Sequence, residues 1–189
     1  MVQEQDPSAT QPAYGGAARS FHWITVIAVF VMVPLGLTMS YRGNTLDLWD
    51  DLTNNLYSAH KLIGFLLLWL IVLRLSYRLI HGAPPDEPTL EWWQKAGSHL
   101  VHWSLYALLL IVPVLGWTGV SLYPALDIFG LVNLPALAAP NEDMAKRVLD
   151  IHGKLAIGMA LLIGMHIAAV VYHALIRRDG VFRRMWPKG

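Results

Sequence analysis

Three histidines share one apolar stretch near the end of the chain, between Arg147 and Ile176: His152, His166 and His173. His152 and His166 are fourteen residues apart. On a helix with about 3.6 residues per turn and about 1.5 Å rise per residue, they differ by about 40° in direction and about 21 Å in height. Two imidazoles therefore face the same interior at two depths. Histidine within an apolar segment is costly and by default marks function, very often as a ligand of a metal or a haem.

The composition indicates a membrane protein. Of 189 residues, 55% are hydrophobic and 14% are charged, whereas soluble domains carry about 25% charged residues. The net charge of +1 gives no indication of nucleic-acid binding. The chain has no cysteine, which excludes disulfides, iron–sulfur clusters and covalently attached haem. A bound haem must therefore be held non-covalently, by His or Met.

Four apolar runs are each long enough to cross a bilayer. They predict helices at about residues 20–40, 56–79, 97–123 and 147–176. The polar residues 1–18 predict a flexible N-terminal tail, followed by a single transmembrane domain over residues 19–189. The predicted fold is all-α, an integral membrane four-helix up-down bundle.

Basic residues are distributed unevenly between the two ends of this predicted bundle. Arg19, the segment from Arg74 to Lys95 and the C-terminal basic cluster fall on one side, and the first and third loops carry fewer cations. By the positive-inside rule both termini are cytoplasmic. We therefore expect a multi-pass membrane protein with both termini in the cytoplasm.

The up-down topology assigns each histidine a depth. His60 begins the second run and His152 begins the fourth, so both lie at the outer level. His22 begins the first run on the inner side and pairs in depth with His166. Two bis-histidine sites at two depths are what a bundle needs to pass electrons across a membrane through two b-type haems. Such six-coordinate iron has no free position, so it transfers electrons and does not bind oxygen.

Further residues near these levels are candidates for binding haem propionates or a quinone. Lys61 and Lys154 lie beside the outer ligands, and Arg74 lies fourteen residues after His60 at the inner level. A quinone site is predicted around His173, together with Lys95 and Arg74. Small residues within the runs are expected to let a flat macrocycle approach the backbone, namely Gly36, Gly64, Gly116, Gly158 and Gly164.

Several of these assignments have alternatives. His99 and His102 compete with His22 as the inner ligand, and His173 competes with His166. Histidines and cations at helix ends are also common as hydrated interfacial groups. A different class of function is also open, in which a four-helix membrane protein uses its histidines for a transition metal or a proton relay.

The motifs resemble those of the bacterial cytochrome b561 family over about residues 19–187. The resemblance rests on Arg–x–x–His–Trp at 19–23, Ala-His-Lys-Leu-Ile-Gly at 59–64, His-Leu-Val-His-Trp-Ser-Leu-Tyr at 99–106, and Ile-His-Gly-Lys-Leu at 151–155 with a second His fourteen residues on. It implies a four-helix di-haem protein of the inner membrane. The ligands it implies are His22, His60, His152 and His166.

The resemblance also implies an activity. One characterised activity within that family is superoxide oxidation, in which superoxide gives up its electron at the periplasmic haem and the electrons pass to ubiquinone. We therefore expect a free-standing di-haem b cytochrome, a superoxide:ubiquinone oxidoreductase. The alternative is a membrane-anchor cytochrome b subunit of a larger dehydrogenase or hydrogenase complex.

Overall fold

A computed structural model describes residues 13–186, and four long helices dominate it. They are α1 (Gly16–Ser40), α2 (Asp51–His81), α3 (Trp92–Leu122) and α4 (Glu142–Tyr172). Among the described residues, these four helical segments are long and apolar enough to cross a membrane. The predicted all-α four-helix membrane bundle is therefore confirmed.

Each helix begins four or five residues before its predicted boundary. The predictions followed the apolar runs, whereas polar residues cap and extend the helices. The side chain of Asp50 accepts the backbone N–H of Thr53 in the first turn of α2, and the side chain of Asn141 accepts that of Met144 in the first turn of α4. Glu91 begins α3 with a capping box. The helix starts predicted at residues 20, 56, 97 and 147 were therefore too late.

The predicted flexible tail, residues 1–18, was too long at its inner end because α1 already begins at Gly16. Its first twelve residues lie outside the described part of the chain. Within the described part, Tyr14 donates its backbone N–H to the carbonyl of Arg184, 3.3 Å away. The segment before α1 is therefore joined to the C-terminal segment.

Two of the helices continue into a π-helical turn. Tyr41–Thr45 follows α1, and His173–Arg177 follows α4. The predicted end of the fourth helix at residue 176 therefore falls inside this second turn. After it, Arg178 adopts φ 53°, in the left-handed region, which reverses the chain direction. Single π turns of this kind occur frequently at functional sites.

The loop between α3 and α4 contains a small antiparallel hairpin, in which Asp127–Ile128 pairs with Val132–Asn133. The ammonium group of Lys61 in α2 donates to the backbone carbonyls of Ala125, 3.0 Å away, and of Asp127. The hairpin is therefore attached to the outer end of α2.

An apolar core lies at mid-height in the bundle. It contains side chains from all four helices: Val29, Leu67, Ile71, Leu109, Val112 and Met159. Ile71 is completely buried. On α4, Met159 lies seven residues from both His152 and His166. A packed apolar layer therefore separates the outer histidine level from the inner one.

Candidate functional site at two histidine levels

At the outer level, two histidines from different helices lie side by side. The ring centroids of His60 in α2 and His152 in α4 are 6.1 Å apart, and the ring planes are inclined by 86°. Two imidazoles that bind one metal ion from opposite sides, through bonds of about 2 Å, have ring centres about 6 Å apart. This spacing fits a metal centre shared by the two side chains.

The hydrogen bonding of the two rings fits the same interpretation. Nδ1 of His152 lies 2.8 Å from the carbonyl oxygen of Val112. Because a carbonyl only accepts, Nδ1 carries the proton and Nε2 keeps its lone pair. Metal-binding histidines usually donate their second N–H in this way. Nδ1 of His60 is buried and has no hydrogen-bond partner among the described residues.

A glycine from a neighbouring helix faces each outer imidazole. A Cβ at Gly36 in α1 would lie 3.1 Å from Cε1 of His60, and a Cβ at Gly116 in α3 would lie 3.0 Å from Cε1 of His152. Any side chain at either position would push against the ring. All four helices therefore contribute to the outer level, two with a histidine and two with a glycine.

Two glycines that lie closer in sequence to predicted ligands, Gly64 and Gly158, have different surroundings. A Cβ at Gly64 would approach Cε of Met32 at 3.3 Å, and a Cβ at Gly158 would meet no atom within 4 Å. Closeness in sequence to a histidine was therefore a poor guide to which glycines face the rings.

The inner level brings three histidines near one arginine. The ring centroids of His102 and His166 are 5.3 Å apart. Nη2 of Arg74 lies 3.0 Å from Nδ1 of His22, and since a guanidinium only donates, this ring nitrogen is the acceptor. The structure thus places His166 against His102, the rival ligand, and places His22 against Arg74, the predicted propionate partner.

Positive charge is concentrated beside these inner histidines. The guanidinium carbon of Arg74 lies 5.4 Å from the ring centroid of Tyr106, and that of Arg78 lies 6.0 Å from it. Cation–π contacts of this kind hold guanidinium groups over an aromatic face. Both arginines are therefore held beside the inner level, where an anionic ligand group would be stabilised.

The three lysines predicted to bind cofactors have different positions and partners. The ammonium group of Lys61 donates to backbone carbonyls of the third loop. The side chain of Lys154 is 73% exposed and pairs with Asp150 at 2.7 Å. Lys95 is partly exposed in the first turns of α3. In the part of the chain that the structure describes, Lys61 and Lys154 thus have partners other than the outer histidines.

His173 belongs to a separate cluster after α4. Its Nδ1 lies 2.6 Å from Oδ2 of Asp179, whose side chain is only 5% exposed. The backbone N–H of Val181 donates to Oδ1 of Asp179 at 3.1 Å. Nε of Arg177 lies 3.7 Å from Oδ2, and the same guanidinium donates to Gln94 of α3 at 2.9 Å. Asp179 was not predicted from the sequence, because it follows the apolar run and lies in no recognisable motif.

Within residues 13–186, no group of three or more His, Asp or Glu side chains is placed to hold a metal ion. The donors are therefore paired imidazoles. A pair of neutral imidazoles suits haem iron, whose four remaining ligands come from the macrocycle. This donor set gives less support to a protein-only transition-metal site.

Four membrane-length helices that present paired histidines at two depths are the arrangement expected of a membrane cytochrome b. The family model described as prokaryotic cytochrome b561 matches residues 13–188. The chain belongs to this family, and the resemblance stated from its motifs is confirmed. Membership implies haem b as the cofactor.

The chain is similar along nearly its whole length to curated relatives. It is 29% identical over 180 residues to cytochrome b561 homolog 2 of Escherichia coli (strain K12), covering 95% of this chain and 94% of that protein. It is 26% identical over 171 residues to cytochrome b561 homolog 1 of the same organism, covering 88% and 93%. It is 24% identical over 168 residues to the probable superoxide oxidase CybB of Yersinia pestis, covering 88% and 92%.

Proposed function

We propose that this protein is a di-haem b cytochrome that passes electrons across the bacterial inner membrane, from a periplasmic donor to the quinone pool. His60 and His152 hold the outer haem, and His22 and His166 hold the inner one. The observation that carries the proposal is the 6.1 Å pairing of His60 with His152. Each haem, when bound, supplies a one-electron carrier without an open coordination position.

The rest of the chain orients and isolates these groups. The carbonyl of Val112 fixes the tautomer of His152, and Gly36 and Gly116 leave room for the outer rings. The mid-height core keeps water out of the space between the two levels. Arg74 and Arg78 provide positive charge for the anionic edge of a bound cofactor.

At the inner level we place His22 opposite His166 because their depths in the bundle match and because His22 lies in the family motif. His102 is the rival, since its ring is 5.3 Å from that of His166. An imidazole that binds through Nε2 carries a proton on Nδ1. In this assignment Arg74 therefore moves away from Nδ1 of His22 and towards the cofactor.

Superoxide is the donor and ubiquinone the acceptor that we propose. The support is the relative in Yersinia pestis, whose name describes a probable superoxide oxidase. In the first loop, Nη2 of Arg42 pairs with Asp50 at 2.6 Å. This pairing reduces the repulsion that the loop exerts on an approaching anion. We place the quinone on the inner side, near His173, Arg74 and Lys95, with both termini in the cytoplasm.

The decisive experiment is a reduced-minus-oxidised spectrum with a haem-to-protein ratio. We expect two low-spin b haems per chain, loss of one in His60→Ala and in His152→Ala, and loss of the other in His166→Ala. His22→Ala removes the inner haem and His102→Ala keeps it; the reverse result makes His102 the ligand. The exposed His81, replaced by Ala, is the control and keeps both haems.

The proposal fails if His60→Ala and His152→Ala both retain full haem content with unchanged spectra. Stopped-flow mixing then tests the partners, with superoxide reducing the haems and a short-chain ubiquinone reoxidising them. A soluble redox protein that co-purifies in stoichiometric amount would favour the alternative role as a membrane-anchor subunit.

A further inference from the structure

We propose that Asp179 positions His173 to deliver protons to the quinone at the inner side of the membrane. The inference rests on the proposed function, because it requires a quinone to be reduced there. Two superoxide anions give up two electrons and become two O₂ molecules, and the quinone takes up these electrons with two protons to become quinol. The protein must therefore supply two protons for each turnover at the quinone site.

The contact between the two side chains determines which nitrogen of His173 exchanges a proton. Oδ2 of Asp179 lies 2.6 Å from Nδ1 of His173, and the side chains are only 5% and 14% exposed. A carboxylate oxygen accepts here, so Nδ1 carries a proton and Nε2 is the nitrogen left to gain or donate another. A buried aspartate behind a histidine holds the ring in one tautomer and stabilises its imidazolium form in hydrolytic triads.

The surroundings of Asp179 hold its carboxylate in place. The backbone N–H of Val181 donates to Oδ1 at 3.1 Å, and Nε of Arg177 lies 3.7 Å from Oδ2. Arg177 is itself held by Gln94 at 2.9 Å and by the carbonyl of Thr89 at 3.1 Å. Both carboxylate oxygens are therefore engaged, and the charge that faces His173 is fixed in position.

The backbone is shaped so that this contact forms. On a continuous α-helix, residues six apart differ by about 240° in direction, so Asp179 could not face His173. The π turn His173–Arg177 and the left-handed Arg178, with φ 53°, bend the chain back. The backbone N–H of Asp179 then donates to the carbonyl of His173 at 3.3 Å.

The position of the pair suits proton delivery from the inner aqueous side. His173 lies seven residues beyond His166, which is about 10 Å nearer to the inner surface. The pair of Asp86 with His99, 3.2 Å apart, is more exposed, at 43% and 53%. It provides a matched Asp–His control outside the buried cluster.

The test uses Asp179→Asn in the haem-loaded, full-length protein. The amide oxygen of Asn can still accept from Nδ1 of His173, but the negative charge is lost, together with the acceptor that faces the N–H of Val181. We expect superoxide to reduce the haems at the wild-type rate. Reoxidation by a short-chain ubiquinone should slow by about a hundredfold, as for loss of a general acid, with the KM for quinone unchanged. Asp179→Glu should recover part of the rate, and Asp86→Asn should behave like the wild type.

A second readout does not depend on turnover. In ¹⁵N-histidine-labelled protein, His173 should carry its proton on Nδ1, and in Asp179→Ala it should become a mixture of tautomers. Unchanged reoxidation in Asp179→Asn overturns the proposal. A raised KM with unchanged kcat also overturns it, because Asp179 would then serve quinone binding. Failure of superoxide to reduce the wild-type haems contradicts the proposed function itself, whatever the variants do.

Discussion

Nδ1 of His152 donates a hydrogen bond to the backbone carbonyl of Val112, 2.8 Å away. This bond joins α4 to a buried residue of α3 and leaves Nε2 of His152 free to bind a metal. In the other imidazole of the outer level, that of His60, Nδ1 is buried and has no hydrogen-bond partner among the described residues. The outer level therefore contains one imidazole fixed by the backbone and one whose orientation depends on packing.

The glycines that face the outer rings should be essential for haem occupancy. Gly36→Ala and Gly116→Ala place a methyl group 3.1 Å and 3.0 Å from the imidazoles of His60 and His152. Because these distances are below ordinary contact, the rings must shift. We expect the haem-to-protein ratio to fall from about two towards one. Gly97→Ala, where no atom lies within 4 Å, is the matched control, and full occupancy in the first two variants would contradict this account.

Lys61 should stabilise the third loop, since its ammonium group donates to the carbonyls of Ala125 and Asp127. A hydrogen bond from a charged group contributes about 1.5–3 kcal/mol, and its loss in Lys61→Met corresponds to faster opening by about tenfold or more. Hydrogen exchange of residues 124–134 measures this. Lys154→Gln is the control, because that ammonium is 73% exposed and pairs with Asp150. Equal exchange in both variants would rule out the structural role.

Arg74 should raise the reduction potential of the inner haem. Its guanidinium belongs to the same level as His22, and a positive charge near the cofactor favours the reduced iron. Arg74→Gln should therefore lower that potential, by on the order of 50 mV for a charge about 10 Å away in a partly polarisable interior. Redox titration monitored by absorbance measures the change. The outer haem serves as the internal control, and a rise in the inner potential would contradict the assignment.

Asp50 should titrate well below an ordinary aspartate. The backbone N–H of Thr53 and the guanidinium of Arg42 lower the pKa of Asp50 from 3.8 to about 2. Because the folded-state pKa is depressed, the stabilisation is complete above pH 3.8 and is lost as the pH falls through about 2. A carboxyl ¹³C titration by NMR measures this. Arg42→Ala should raise the pKa of Asp50, and a wild-type midpoint near 4 would contradict the capping network.

The four helices and the two histidine levels were predictable from the sequence. Each apolar run exceeds the thickness of a bilayer, and the fourteen-residue spacing of His152 and His166 sets their relative height on any straight helix. The helix starts were not predictable from hydropathy, because Asp50, Glu91 and Asn141 are polar and extend the helices outside the apolar runs.

The details of the site depend on tertiary structure. Whether Gly36 of α1 faces His60 of α2 depends on how the two helices are rotated against each other, and the sequence contains no measure of that rotation. The contact of His166 with His102, rather than with His22 alone, likewise depends on the packing of α3 against α4. Asp179 reaches His173 only through a π turn and a left-handed residue. Neither contains a glycine or proline from which the irregular backbone could have been predicted.

The packed layer between the two histidine levels has an electrical consequence. Ile71 is fully buried within it, among apolar side chains of all four helices that disfavour an accompanying ion. An electron that moves inwards across this layer therefore works against an inside-negative membrane potential, at about 2.3 kcal/mol per 100 mV for a complete crossing. Turnover in sealed vesicles should slow as that potential rises and recover when an ionophore collapses it, because each electron that moves inwards adds to the same inside-negative potential.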